Sequence, residues 1–256
     1  MVAATKMRRA QNQATNGRPY SENLSEALAR LLPRIDKEAH SLLTGNDSKT
    51  SGIILLSTDK GLVGALNTNL MRTVASHSSS GNVVYYTVGR KGRSFVARSG
   101  KDLKADFENL DTVTFRQAKQ LSRMLVDVFK SGEIGEAYLV YPHFIYTLRQ
   151  EPRRVKLLPI DYSQLTNEQT SNEFLFEPAP DALLDYLLVH HIEEQIYQAL
   201  LETKASEHSA RMMAMQNATD NALDLVSDLT LTYNQTRQAS ITTELLEITT
   251  AQIAME

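Results

Sequence analysis

The 256-residue chain has no cysteine. That excludes disulfides, thiolate metal sites and a cysteine nucleophile together, and suits a reducing compartment. No apolar run approaches the ~20 residues of a membrane span, and no leader-like charged and apolar regions are legible, so contact with a membrane is expected only through a partner. A basic surplus is also lacking: the net charge is −3 and the sequence pI about 6.1, which argues against general nucleic-acid binding. Most telling, proline and glycine are missing from Asp181 to Glu256. Both are costly inside a helix, so one helix can run through the whole stretch, about 110 Å at 1.5 Å per residue.

What that stretch does contain changes along its length. Leu184, Leu187, Leu188, His191, Ile192, Gln195, Ile196 and Ala199 follow one helical face, and Met215, Ala218, Ala222, Leu225 and Leu229 then step 3-4-3-4. A seam of that period asks for a partner helix. It fades through Thr232–Gln238 and returns as a narrow stripe at Ile241, Leu245 and Ile248. A rod that is polar for two turns and weakly apolar beyond is suited to touching other subunits rather than to filling a core.

Charge is unevenly placed. Residues 1–18 carry Lys6, Arg8, Arg9 and Arg18 without an acid, whereas 205–256 carry seven acids against Arg211 and Arg237. The two ends are therefore electrostatically complementary. Helical periodicity from Met1 continues through Leu24, Leu28 and Leu31 to Leu43, with an irregularity expected at Gly17 and Pro19 and a separate last turn at Pro33. Between the two helical ends, Gly52–Ser57, Val83–Val88 and Ala137–Tyr141 read as buried strands, separated by helices near 67–75, 93–98 and 114–129. Alternating strand and helix predicts a doubly wound parallel sheet, with possible edge strands at 154–158 and 174–176. The polar, punctuated stretch 149–171 reads as an exposed excursion.

Candidate chemistry is sparse. Thr58-Asp59-Lys60-Gly61-Leu62-Val63-Gly64 sits where phosphate loops sit in α/β folds, yet lacks both the Walker and the dinucleotide spacing, and reads as a structural turn. Gly89–Ser94 is a basic, glycine-punctuated loop that reads as a solvated turn rather than an anion nest. His190 and His191 are adjacent and diverge on a helix, so they do not pair as metal ligands. His208 has no companions for a catalytic set, and Asp220, Asp224 and Asp228 read as a solvated acidic stripe. The two glycosylation-type sequons at Asn217 and Asn234 lie on the long helix without secretory context. Catalytic, cofactor and metal residues are accordingly expected to be none.

Three blocks on the long helix carry a resemblance: Ala205–Met212, Asn217–Ala222 and Leu231–Thr242. With Met1–Gln11, Ser57–Gly64 and Leu66–Asn69, they make the chain resemble the gamma subunit of F-type ATP synthases over essentially its whole length, with Val63 where many members have cysteine. The resemblance implies an α/β fold in which the N- and C-terminal helices form a long antiparallel coiled coil above a Rossmann-like parallel-sheet domain. The corresponding divisions are 1–45, 50–178 and 181–256.

The resemblance also implies a non-catalytic rotor shaft, transmitting torque between ion flow through a membrane c-ring and ATP synthesis or hydrolysis at the beta subunits. Expected partners are three alpha and three beta subunits, the epsilon subunit and the c-ring, at the cytoplasmic face of a bacterial inner membrane or its organellar equivalent. Arg237, Gln238, Thr242 and Glu244 match positions that meet the beta subunits. The family's first helix normally extends several turns upstream of Met1, so a missed or truncated start is expected, leaving the helix past Leu229 short of a partner. A non-motor coiled-coil adaptor with an α/β domain is the alternative, and it offers no reason for the three matched blocks.

Overall fold

The computed structural model describes residues 2–32, 40–77, 82–161 and 180–255. Helix α1 spans Val2–Leu31, a single turn α2 spans Ser41–Thr44, and an alternating series follows: β1 Ser51–Leu56, α3 Leu66–His77, β2 Val83–Val88, α4 Arg90–Arg98, β3 Asp102–Phe107, α5 Phe115–Lys130, β4 Glu136–Tyr146 and β5 Arg149–Leu158. The last element, α6, runs unbroken from Pro180 to Ile253, 74 residues, as the absence of interior glycine and proline allows. Contacts divide the chain into two compact units, Met1–Met213 and Ala214–Glu256.

The sheet order is β3-β2-β1-β4-β5. The first four strands are parallel, and β5 turns back antiparallel along β4. Alternation of side chains sends Ile53 and Leu55 of β1 to one face and Ile54 and Leu56 to the other. On the first face they meet Leu70 and Val74 of α3 and Val96 of α4. On the second they meet Leu121, Leu125 and Phe129 of α5 together with Leu28 and Leu31 of α1 and Leu188, Ile192 and Ile196 of α6. Each such fully buried side chain contributes about 1.5–3 kcal/mol of burial, so both terminal helices are anchored to the sheet by its second face.

Helices α1 and α6 run antiparallel within the first unit: Tyr20 meets His190, Gln198 meets Ala14, and Gln11 meets Ser209. Ala10, Ala14 and Ala205 keep the seam narrow. A Cβ on Gly17 would fall 2.4 Å from Gln198 Oε1, so glycine permits the close approach there. The expected irregularity does not break the helix: α1 passes through both Gly17 and Pro19.

Four sequence readings need correction or qualification. Leu42 and Leu43 do not continue the first helix but form α2, buried against the sheet. Strand β3 was not anticipated; its burial alternates as Leu103, Ala105 and Phe107 turn inward, a period-2 signal hidden by the charged residues between them. The edge strand expected at 154–158 is present but begins at Arg149, so 149–158 is not part of an excursion. Strand pairing is a backbone property, and an edge strand as polar as Arg149–Val155 is held by its ladder to β4, with Pro152 tolerated at the edge. The readings at Pro33, 162–171 and 174–176 lie outside the described residues.

Candidate functional site

Where α1, β4 and α6 converge, a polar cluster interrupts the apolar seam. Glu202 of α6, with its side chain 4% exposed, takes Arg18 of α1 at 3.4 Å and His143 of β4 in a close ion pair. Arg18 also donates to the Phe144 carbonyl, and Gln198 donates to both Glu202 and the Ala14 carbonyl. Burial and the Glu202 charge together push the nearby Tyr141 phenol up to about 12. Three elements are thus tied at one carboxylate. Sequence reasoning passed over this cluster; the available signal was Gln198 and Glu202, four apart, beside a seam that otherwise runs through Ile196, Ala199 and Ala205.

A second polar interruption lies one or two turns earlier on α6. Burial lowers the pKa of His191 to about 4, with His190 adding to the effect, and burial raises that of Glu194 to about 7. Gln195 contacts the His191 ring at 2.8 Å. His190 points elsewhere, stacked on Tyr186 and bonded to Tyr20, so the two histidines diverge as their adjacency predicts.

The turn after β1 is stitched to the start of α4. Ser57 Oγ accepts from Gly92 N at 2.8 Å, Lys91 N donates to Thr58 O at 3.0 Å, and Arg90 N donates to Asp59 at 2.9 Å. Thr58 donates to the Lys60 carbonyl and accepts from Asn67. The amides at 90–92 form the first turn of helix α4 and already have acceptors, so Gly89–Ser94 is a partly buried helix start and not the solvated turn its sequence suggested. No cluster of three His, Asp or Glu suited to a metal occurs among the described residues, His208 and the acidic stripe included. No helix there is long and apolar enough to cross a membrane.

The second compact unit, Ala214–Glu256, is helix with exposed apolar side chains. Leu225 and Leu229 are 59% exposed, and Ile241, Leu245 and Ile248 are 49–63% exposed. At about 100° per residue, the early seam and the later stripe lie on different faces, roughly 130° apart, with the polar turns Thr232–Gln238 between them. Ile241, Leu245 and Ile248 fall within roughly 60° of one another. Arg237 and Glu244 border that stripe on one side, Gln238 and Thr242 on the other. All four are exposed, and Thr242 donates to the Gln238 carbonyl at 2.9 Å. An apolar strip edged by polar groups has the make-up of a subunit contact, with an apolar centre and a polar rim.

Comparison with known proteins decides what such a helix belongs to. A family model described as ATP synthase matches residues 1–255. The ATP synthase gamma chain of Methylacidiphilum infernorum is 41% identical over 268 residues, covering all of this chain and 91% of that one. The chain belongs to the ATP synthase gamma-chain family. A second gamma chain, from Symbiobacterium thermophilum, is also 41% identical, over 97% of this chain and 88% of its own length. The gamma-chain fold is found in the central stalk of the Tetrahymena thermophila mitochondrial ATP synthase, with a TM-score of 0.64, 26% identity, and coverage of 86% of this chain and 96% of that one. A Euglena gracilis mitochondrial ATP synthase chain shares the fold at a TM-score of 0.62 and 19% identity, covering 98% and 95%. As a gamma chain it is a central-stalk rotor subunit.

Proposed function

We propose that this gamma chain carries torque between a membrane c-ring and the beta subunits of a ring of three alpha and three beta subunits, with the epsilon subunit beside its α/β body. It performs no chemistry of its own, and it reaches the cytoplasmic face of the membrane only through those partners. The sheet and α5 grip both terminal helices, and the Glu202 cluster ties α1 and β4 to α6, so a turning force on the α/β body is delivered to the stalk helix. The observation that carries the reading is the apolar strip at Ile241, Leu245 and Ile248, edged by Arg237, Gln238, Thr242 and Glu244. On one helix such a strip is directional, so rotation presents it to each beta subunit in turn. Arg237 and Gln238 supply donors for acidic loops.

The test is replacement of Arg237 and Gln238 together by alanine in the assembled enzyme. Truncating interfacial charge-assisted bonds costs on the order of 2–5 kcal/mol where they are buried and much less at a rim. Turnover or coupling should fall while the isolated chain keeps its fold by circular dichroism. Unaltered hydrolysis and ion pumping would show that the contact is idle.

A further inference from the structure

Beside the α1/α6 seam, a cavity of about 220 Å³ opens between α1, the loop before α5 and α6. Its walls carry Lys6 and Arg9 of α1, Asp111 of the loop, and Lys204 and His208 of α6. Three permanent cations thus face one carboxylate, a surplus of two positive charges without counting His208. Lys204 is the unusual member. It is only 8% exposed, and its ammonium is held by a single long ion pair to Glu207, 3.6 Å away. That distance is beyond a hydrogen bond, and the Glu207 Oε2 concerned is left without a hydrogen-bond partner. The other oxygen of Glu207 already serves Arg211 at 2.8 Å. An ammonium has three donors to place, and that of Lys204 stays at the mouth of the cavity, so its stem is buried while its donors face the cavity. Lys6 and Arg9 enter no ion pair among the described residues.

We propose that this cavity is a binding site for a small phosphoryl-type oxyanion, held by Lys204 from the buried side and by Lys6 and Arg9 from the open side. The volume decides the size of the ligand: 220 Å³ lies below the ~300–1,000 Å³ of pockets that enclose drug-sized molecules, so a phosphate fits and a whole nucleotide does not. A bound dianion would bridge α1, α6 and the 111–113 loop, adding a charge-assisted link across the α1/α6 seam. The inference stands apart from the torque reading, since it concerns binding by the chain itself.

His208 reports occupancy. Burial lowers its pKa first of all, Lys204, Arg211 and Lys6 lower it further, and only Glu207 acts in the opposite direction. An anion set among those cations cancels their repulsion and favours the charged imidazole, so bound phosphate raises the His208 pKa.

The full chain is titrated with inorganic phosphate while the His208 ring is followed by NMR, with the other five histidines as internal controls. Saturable binding with a rise of about one unit in the His208 midpoint is expected. Lys6→Gln and Arg9→Gln, both at exposed positions, should weaken binding tenfold or more together, and Lys204→Met should abolish it. AMP should bind no more tightly than phosphate, and tenfold tighter AMP would overturn the free-oxyanion assignment. Absence of saturation, or a response that Lys6→Gln/Arg9→Gln leaves unchanged, would mean an adventitious ion only and end the proposal.

Discussion

Replacing Glu194 by glutamine should uncover a pH dependence of stability that the native chain conceals. Glu194 is 5% exposed and His191 2% exposed, three residues apart on the buried face of α6. The folded-state pKa of Glu194 is raised from 4.5 to about 7, and that of His191 is lowered from 6.5 to about 4, burial being the main cause in both. Between pH 4.5 and 7 the folded chain holds the Glu194 proton more tightly than the unfolded chain does, so this residue removes stability as pH rises. Between pH 4 and 6.5 the unfolded chain binds the His191 proton more tightly, so this residue adds stability as pH rises. Each effect amounts to at most about 1.4 kcal/mol per pH unit, and from pH 4.5 to 6.5 the two oppose. Glu194→Gln should therefore gain up to about 3 kcal/mol of stability across that window, and His191→Gln should lose a similar amount across the same pH range. Urea denaturation of the full chain at half-unit intervals, followed by circular dichroism, reads this directly. If both variants track the native profile within about 0.5 kcal/mol, a difference too small to count in such mutant comparisons, the buried ionisations are not what the structure implies.

Two further outcomes are expected. Glu202→Ala leaves Arg18 and His143 without their shared carboxylate; breaking a buried pair costs about 3–5 kcal/mol, but Arg18 and His143 are 34% and 24% exposed and can regain water, so a loss of about 2–3 kcal/mol in urea denaturation is expected, with Glu202→Gln milder. A loss below about 0.5 kcal/mol would show that the cluster is not a tie. Gly89→Ala places a Cβ 2.3 Å from the Ser57 carbonyl at a residue with φ of +99°; the clash is with backbone, and strain alone costs about 1–3 kcal/mol, so a clear drop in thermal midpoint is expected, and an unchanged midpoint would contradict the close apposition of the turn after β1 and the start of α4.

The resemblance and the alternation of strand and helix were legible because both are local patterns. Leu184, Leu188 and Ile192 repeat at helical spacing, and β1, β2 and β4 are apolar runs whatever surrounds them. Of the Arg149–Leu158 strand only 154–158 was legible, as an edge strand; the pairing of 149–153 is written in the backbone ladder to β4, and its side chains are those of a loop. The Glu202 cluster was missed for a related reason: Arg18, His143 and Glu202 lie far apart in sequence, and no periodicity links them. Arg237, Gln238, Thr242 and Glu244 were named from the resemblance, while their arrangement along the two edges of one stripe follows from helical rotation.

By itself the sequence determined the unbroken α6, since a stretch without glycine or proline offers no cheap place to stop, and it determined the apolar strip at Ile241, Leu245 and Ile248, since helical spacing is a property of order along the chain. Tertiary structure alone decided which charged residues are partners and which are left over. Glu202 is met by two cations from other elements, whereas Lys204, two residues away, has only a long pair within α6 to Glu207, which Arg211 shares. The difference is what lies opposite each one: β4 and α1 bring His143 and Arg18 to Glu202, while Lys204 faces a cavity lined by Lys6 and Arg9. Coulombic energy depends on distances through space, and those exist only once the helices and the sheet have packed.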